Sequence, residues 1–152
     1  NGMEMQVKEE GSVIEILVAK QGGKIEQSTP EDYCEIPGAN SGDYAVCVKK
    51  PTFGDGDQEL GEMLMKGFLS TLPHASALPK FMIFVNSGIF LTLKDSPVLG
   101  SLKELEQLGV EILICGTCTE FYNKNEELAV GKISNMLDLL EKMISIPKIL
   151  NP

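Results

Sequence analysis

The sequence predicts an α/β domain with a parallel sheet covered by helices on both faces, preceded by a β-hairpin. The chain has 152 residues, enough for one well-buried core. From residue 43 onward, apolar strand-like segments alternate with helix-like segments. The connections between them are short, which favours right-handed crossovers in a parallel sheet. We therefore divide the chain into a hairpin at 1–20, a linker at 21–42 and an α/β domain at 43–152.

The hairpin is predicted from two extended stretches, residues 3–8 and 12–20, separated by Glu9-Glu10-Gly11. An isolated hairpin is marginal in water, so it must pack on something else. The linker is rich in turn-forming residues, among them Gly22-Gly23, Pro37-Gly38 and Asn40-Ser41-Gly42, and lacks periodicity. It contains Cys34, which we interpret as incidental; the alternative is a resolving or metal-binding role.

Three short apolar segments predict the central strands, at residues 43–49, 80–85 and 110–114. Such continuous apolar runs are typical of strands that are buried on both faces. Residues 148–150 predict a short final strand. Cys47 lies in the first of these strands, where cysteine acts as a small hydrophobic residue.

Three amphipathic segments predict helices, at residues 57–72, 97–108 and 134–144. Asp57 and Ser96 are the expected N-caps of the first two, and Gly109 ends the second. The apolar stripes expected to face the core are Leu60, Met63, Leu64, Gly67, Phe68 and Leu72 in the first helix, and Met136, Leu137, Leu140, Met143 and Ile144 in the last.

The charge balance excludes several classes of function. The formal net charge is −9, and all 13 basic residues are lysines. A nucleic-acid-binding protein needs clustered cations, so that class is not expected. The absence of arginine also weakens the case for recognition of phosphate or carboxylate ligands. No apolar run has the roughly 20 residues needed to span a bilayer, and no signal peptide is visible at the start. Free thiols and these absences predict a cytoplasmic protein.

The motif Cys115-Gly116-Thr117-Cys118 is the strongest chemical signal in the sequence. Cys115 ends the third predicted strand, and Cys118 lies near the start of the next helix. We expect the helix N-terminus to lower the cysteine pKa and favour a thiolate. A thiolate attacks a persulfide or disulfide, and a second thiol nearby resolves the product. The alternative interpretation is a pair of buried structural cysteines.

The loops expected around this pair follow the carboxyl ends of the strands, at residues 50–57, 86–94 and 115–123, where ligands gather in parallel α/β sheets. Cys115 and Cys118 are the predicted catalytic residues. The predicted rim of the site consists of Gly54, Asp55, Gly56, Asn86, Ser87, Gly88, Gly116 and Thr117.

Two other kinds of site are not expected. Structural zinc needs four ligands, usually as two close pairs, but the sequence offers one such pair, and His74 is the single histidine. A phosphate loop at residues 52–57 fails because Glu62-Met63 stand where lysine and a hydroxyl residue are required. We therefore predict neither a metal nor a cofactor.

Four segments in register resemble the sulfurtransferase-like selenium-metabolism proteins of the YedF type, over residues 43–152. These segments are Gly54-Asp55-Gly56-Asp57-x-x-Leu60-Gly61-x-x-Leu64-Met65-Lys66-Gly67-Phe68, Ile83-Phe84-Val85-Asn86-Ser87-Gly88, Leu102-x-x-Leu105-x-x-Leu108-Gly109-Val110-Glu111-Ile112-Leu113-x-Cys115-Gly116-Thr117-Cys118, and Leu128-Ala129-Val130-Gly131-x-Ile133-x-Asn135-Met136. Residues 2–20 resemble the second half of a TusA-like (SirA-like) domain. The Cys-Pro-x-Pro motif of such domains is absent from this chain.

This resemblance implies a DsrE/DsrF-like domain with a flavodoxin-like fold, homo-oligomers, and protein partners in sulfur or selenium relay. It places a persulfide on Cys115, with Cys118 as a resolving or second acceptor thiol. Two alternatives stay open: a thiol–disulfide oxidoreductase, since strand-CxxC-helix is also the thioredoxin arrangement, and a non-catalytic oligomeric adaptor. The segment after Cys118 is too short for the long helix of a thioredoxin.

Overall fold

The structure is a computed structural model that describes the backbone of Met3–Glu10 and Val13–Lys20, and both backbone and side chains of residues 41–152. The chain divides into two compact units, Asn1–Ile36 and Pro37–Pro152. The described parts of each unit are considered separately below.

The first unit contains the predicted hairpin. Strands β1 (Met3–Glu10) and β2 (Val13–Lys20) pair antiparallel, with Met3 opposite Lys20 and Glu10 opposite Val13. The hairpin prediction is confirmed. Most of the predicted linker, including Cys34, lies outside the described residues. At its end, the Gly42 N–H donates to the carbonyl of Leu78 at 2.8 Å.

The second unit has a five-stranded parallel sheet with strand order β6-β5-β4-β3-β7. Its strands are β3 (Ala45–Val48), β4 (Phe81–Phe84), β5 (Glu111–Cys115), β6 (Lys132–Ser134) and β7 (Ile149–Leu150). The three central strands are almost wholly buried, as their continuous apolar runs predict. Because all the strands are parallel, their carboxyl ends lie at one edge of the sheet. The predicted fold class is confirmed.

Within residues 41–152, four α-helices accompany the sheet: α1 (Gln58–Thr71), α2 (Leu99–Gln107), α3 (Gly116–Phe121) and α4 (Met136–Ile144). Alternate side chains of β4 enter two separate cores, since successive residues of a strand point to opposite faces. Met82 and Phe84 pack in the larger core, to which α1 and α2 contribute buried side chains. Phe81 and Ile83 pack in the smaller core with Leu139 of α4. No helix of the described residues is long and apolar enough to cross a membrane.

The predicted core face of α1 was largely wrong. Leu60, Met63 and Leu64 are 52%, 65% and 47% exposed, whereas Met65 and Leu69 are fully buried. Gly67 is exposed and Phe68 is half-buried, while Leu72 is buried as expected. The helix instead buries the face that carries Gly61, Met65 and Leu69. Gly61 lies against the preceding loop, where a Cβ built on it would be 2.8 Å from the Cβ of Thr52.

Helix α4 also differs from its prediction. It begins at Met136 rather than at residue 134, because the side chain of Asn135 accepts the N–H of Asp138 at 2.9 Å and caps it. Leu139 is the buried residue of this helix, and Met143 is half-buried. The other four apolar side chains are exposed: Met136 (62%), Leu137 (65%), Leu140 (50%) and Ile144 (69%). The apolar residues of α4 occupy a wider part of the helix surface than the sheet buries, so several of them stay exposed.

Two further local differences have simple causes. Helix α2 begins at Leu99, because the Ser96 side chain accepts the N–H of Val98 at 3.3 Å in a turn before the helix. Strand β6 was not predicted, since it has three residues and two of them are exposed. Gly131 precedes it with a φ of 79°, and a Cβ there would lie 2.6 Å from the side chain of Ile112.

Candidate functional site

The two cysteines of the motif lie at the carboxyl edge of the sheet, at the junction of β5 and α3. Cys115 is the last residue of β5, and α3 begins at the next residue, so Cys118 lies in the first turn of the helix. Cys115 belongs to the smaller core and is 2% exposed. Cys118 is half-buried and packs against both cores. The sulfur that a reactant reaches first is therefore that of Cys118.

The two thiols are free, and Cys115 is near enough to Cys118 to affect its titration. Burial raises the pKa of Cys118, and the neighbouring Cys115 thiol raises it further. The expectation of a lowered pKa is therefore wrong for Cys118.

Asn86 is the predicted rim residue that contacts the cysteines. It follows β4, and its backbone N–H donates a hydrogen bond to the sulfur of Cys118 at 3.0 Å. This contact opposes the effect of burial and lowers the pKa of Cys118. Asn86 has a φ of 51°, in the left-handed region that asparagine tolerates better than most residues.

Tyr122 is a site residue that the sequence analysis missed. Its hydroxyl donates to the side-chain oxygen of Asn86 at 3.0 Å. Its ring packs against Phe90 and Phe121, with ring centroids 4.9 Å and 5.1 Å away. The signal that was available is its position four residues after Cys118, which places the two residues on the same side of adjacent helical turns.

Ser87 and Gly88 continue the segment Asn86–Thr92, a 3-10 turn at the end of β4. Ser87 is half-buried and Gly88 is buried. The Gly88 N–H donates to the Lys49 carbonyl at 3.2 Å, and a Cβ built on Gly88 would be 2.4 Å from the carbonyl oxygen of Val48. The end of β3 therefore holds this segment in the position from which Asn86 reaches Cys118.

The predicted rim residues Gly54, Asp55 and Gly56 lie at the same edge of the sheet but are exposed. Asp55 forms an ion pair with Lys50, and Gly54 has a φ of 74°. Across residues 41–152, no hydrogen bond joins this loop to either cysteine. The structure does not bring it into the site.

Gly116 and Thr117 line a groove of about 330 Å³ beside the cysteine pair. The opposite wall comes from the β6–α4 connection and the first turn of α4, namely Ile133, Ser134, Asn135, Met136 and Asp138, and Glu120 completes it. A Cβ on Gly116 would be 3.1 Å from the Ile133 side chain, so the two sides of the groove approach each other closely at this point. The groove therefore borders the two residues between the cysteines, while neither cysteine forms part of its wall.

The remaining candidate residues lie away from this site. Cys47 is buried in β3, and burial raises the pKa of its thiol, as expected for a structural cysteine. His74 is exposed, in a turn after α1. A second cavity, of about 390 Å³, lies between α1 and the segment Asn86–Thr92 and has neither cysteine in its wall. Within the described residues, no three His, Cys, Asp or Glu side chains converge as metal ligands.

Comparison with solved structures supports the fold assignment. A protein of unknown function from Methanobacterium thermoautotrophicum, MTH1491, superposes with a TM-score of 0.53 at 15% identity, covering 72% of this chain and 97% of its own. The YchN protein from E. coli also gives a TM-score of 0.53 at 15% identity, covering 74% of this chain and 99% of its own. Both belong to the DsrE/DsrF-like fold family, so the fold of this chain is DsrE-like. No protein-family model and no curated protein matches the sequence.

Proposed function

We propose that the chain is a carrier of sulfur or selenium that holds a persulfide, or its selenium equivalent, on the Cys115–Cys118 pair. The observation that carries this proposal is a pair of free thiols at the carboxyl edge of a DsrE-like sheet, one buried at the end of β5 and one half-buried in the first turn of α3. The resemblance of residues 43–152 to the YedF type supports a role in selenium metabolism. The TusA-like resemblance of residues 2–20 supports relay with a TusA-like partner.

The exposure of the two thiols favours an order of transfer. The Cys118 thiolate attacks the outer sulfur of a donor persulfide, the donor S–S bond breaks, and the donor leaves as a thiolate. Cys115, as a thiolate, then attacks the outer sulfur on Cys118, which leaves as a thiolate in turn. The sulfur ends on Cys115, which is 2% exposed and so protected from further reductants.

Mass spectrometry after incubation with a small-molecule persulfide, such as glutathione persulfide, tests this proposal. We expect the full chain to gain one sulfur atom, located on Cys115 by peptide fragmentation. Cys115→Ser should lose the stable adduct, and Cys118→Ser should load several-fold more slowly. Cys47→Ala is the matched control and should load like the parent chain. Equal and lasting loading of Cys115→Ser would refute the proposal.

Thiol–disulfide exchange is the second candidate function, since the two thiols lie within reach of each other. The thiolate of one cysteine would attack a substrate disulfide and the other would resolve the mixed disulfide. The six-residue α3 argues against it, because a thioredoxin stabilises its thiolate with a long helix. Insulin reduction at the rate of a free-thiol control would exclude this activity.

We also propose that the chain acts as a homo-oligomer in the cytoplasm, as the resemblance implies. The exposed face of α4, formed by Met136, Leu137, Leu140 and Ile144, supports self-association. Contiguous apolar side chains on a surface commonly mark a protein–protein contact. Ile133 and Met136 also line the groove beside the cysteines, so a second copy on this face would border the site.

A further inference from the structure

The contacts around Cys118 link three residues from two elements that are distant in sequence. Cys118 and Tyr122 belong to α3 and the turn that ends it, and Asn86 lies 36 residues before Tyr122, at the end of β4. Asn86 uses two different groups: its backbone N–H faces the sulfur, and its side-chain oxygen faces the Tyr122 hydroxyl. The persulfide chemistry proposed above explains neither the left-handed backbone of Asn86 nor its partner.

We propose that Tyr122 and Asn86 are positioning residues for Cys118: the Tyr122 hydroxyl holds the Asn86 side chain and so fixes the Asn86 backbone N–H on the sulfur. A left-handed conformation is strained for a residue other than glycine, and the hydrogen bond from Tyr122 offsets part of this strain. The Phe90 and Phe121 rings hold the Tyr122 ring in turn. The inference rests on the proposed function in that Cys118 is the thiol that meets the donor.

A fixed N–H donor matters because hydrogen bonds to a charged acceptor are about twice as strong as those between neutral groups. The Asn86 N–H therefore stabilises a thiolate on Cys118 more than a thiol. The same donor suits the anion of a persulfide at this position. This donor is the contact that lowers the pKa of Cys118 against the opposing effects of burial and of Cys115.

The charged surroundings of Cys118 are simple enough to make its titration interpretable. The segment Asn86–Thr92, which packs on it from β4, has no ionisable side chain. The ionisable neighbour of Cys118 on β5 is Cys115. The ionisable side chains on α3 and the turn after it are Glu120 and Tyr122. On α4, across the groove, the ionisable side chain is Asp138, whereas Lys132 of β6 forms an ion pair with Glu111.

The experiment is the pH dependence of alkylation of Cys118 by iodoacetamide, read by peptide mass spectrometry of the full chain. In Tyr122→Phe we expect a rate about fivefold lower at neutral pH, the size of one aligned hydrogen bond. The inflection of the profile should move to higher pH while the plateau at high pH stays that of the parent. A change in accessibility alone would lower the plateau instead.

Asn86→Gly is the second variant, because glycine adopts a φ of 51° without strain and keeps the backbone N–H while losing the side-chain anchor. It should shift the profile as Tyr122→Phe does, and the double variant should add nothing. Two controls are matched: Tyr44→Phe removes a hydroxyl that donates to the Ala77 carbonyl, and Asn123→Gly relaxes a φ of 54°. Both should leave the profile unchanged.

The outcomes separate the two proposals. Parent-like profiles in both Tyr122→Phe and Asn86→Gly overturn the positioning role, whatever the persulfide assay shows. Shifted profiles in a chain that accepts no sulfur uphold the positioning role and reject the carrier function. Circular dichroism and urea unfolding of each variant identify any shift that comes from misfolding, which would also count against the inference.

Discussion

Gly88→Ala tests whether the end of β3 sets the position of the Asn86–Thr92 segment. A Cβ on Gly88 would be 2.4 Å from the Val48 carbonyl oxygen, and ordinary contact begins at 3.4 Å, so the segment must move by about 1 Å. The obstacle is strand backbone, which cannot rotate away as a side chain can. Two hydrogen bonds hold this contact: the Val85 N–H donates to the Val48 carbonyl at 3.0 Å, and the Gly88 N–H to the Lys49 carbonyl at 3.2 Å.

Overpacking costs about 1–3 kcal/mol, and each weakened hydrogen bond adds about 0.5–1.5 kcal/mol. We therefore expect Gly88→Ala to lower the free energy of unfolding by about 2–6 kcal/mol. The measurement is urea denaturation followed by circular dichroism, with the slope unchanged and the midpoint lowered. Alkylation of Cys118 should also become slower at neutral pH, since Asn86 moves away from it.

Gly67→Ala is the matched control because Gly67 lies within α1, and a Cβ there meets nothing within 4 Å. It should stabilise the protein by about 0.5–1 kcal/mol, since alanine favours the helix more than glycine does. The two substitutions make the same chemical change and should have opposite signs. If Gly88→Ala is neutral or stabilising, close packing against the end of β3 does not set the position of the Asn86–Thr92 segment.

Two further predictions concern stability at low pH and self-association. Ion pairs with Lys132 and Lys142 lower the pKa of Glu111, so the unfolded chain binds more protons and stability falls as pH drops below the ordinary carboxyl pKa of 4.5. Glu111→Gln should cost about 1 kcal/mol at neutral pH and flatten the acid side of a urea-midpoint profile, whereas an unchanged acid side contradicts this origin. On α4, Leu140→Asp should lower the mass measured by light scattering, with Leu64→Asp on the exposed face of α1 as control; a monomeric parent chain would reject the interface.

The sequence predicted the elements whose signals are local. The runs of β3, β4 and β5 contain almost only apolar residues, so their burial on both faces could be inferred without knowledge of their neighbours. The N-cap of α1 was predicted correctly because Asp57 accepts the N–H of Leu60, three residues away. Helix faces were harder, because both α1 and α4 are apolar over more than one face.

The candidate site shows the same division between local and distant information. The position of Cys115 at a strand end and of Cys118 in the next turn follows from the order of elements. The link from Tyr122 to Asn86 joins residues 36 apart in sequence, and no local pattern predicts it. The expected low pKa failed for Cys118 because the fold buries its sulfur and places a second thiol, Cys115, beside it.

The sequence by itself determined the fold class, the order along the chain of the strands other than β6, and the location of the Cys115–Cys118 pair. Apolar periodicity and turn residues encode these properties within a few neighbouring positions. The tertiary structure decided which thiol is accessible, which loops reach it and which apolar residues stay at the surface. These properties depend on how α1, α4 and the Asn86–Thr92 segment pack on the sheet, and that packing is settled by close contacts between distant residues such as Gly88 and Val48.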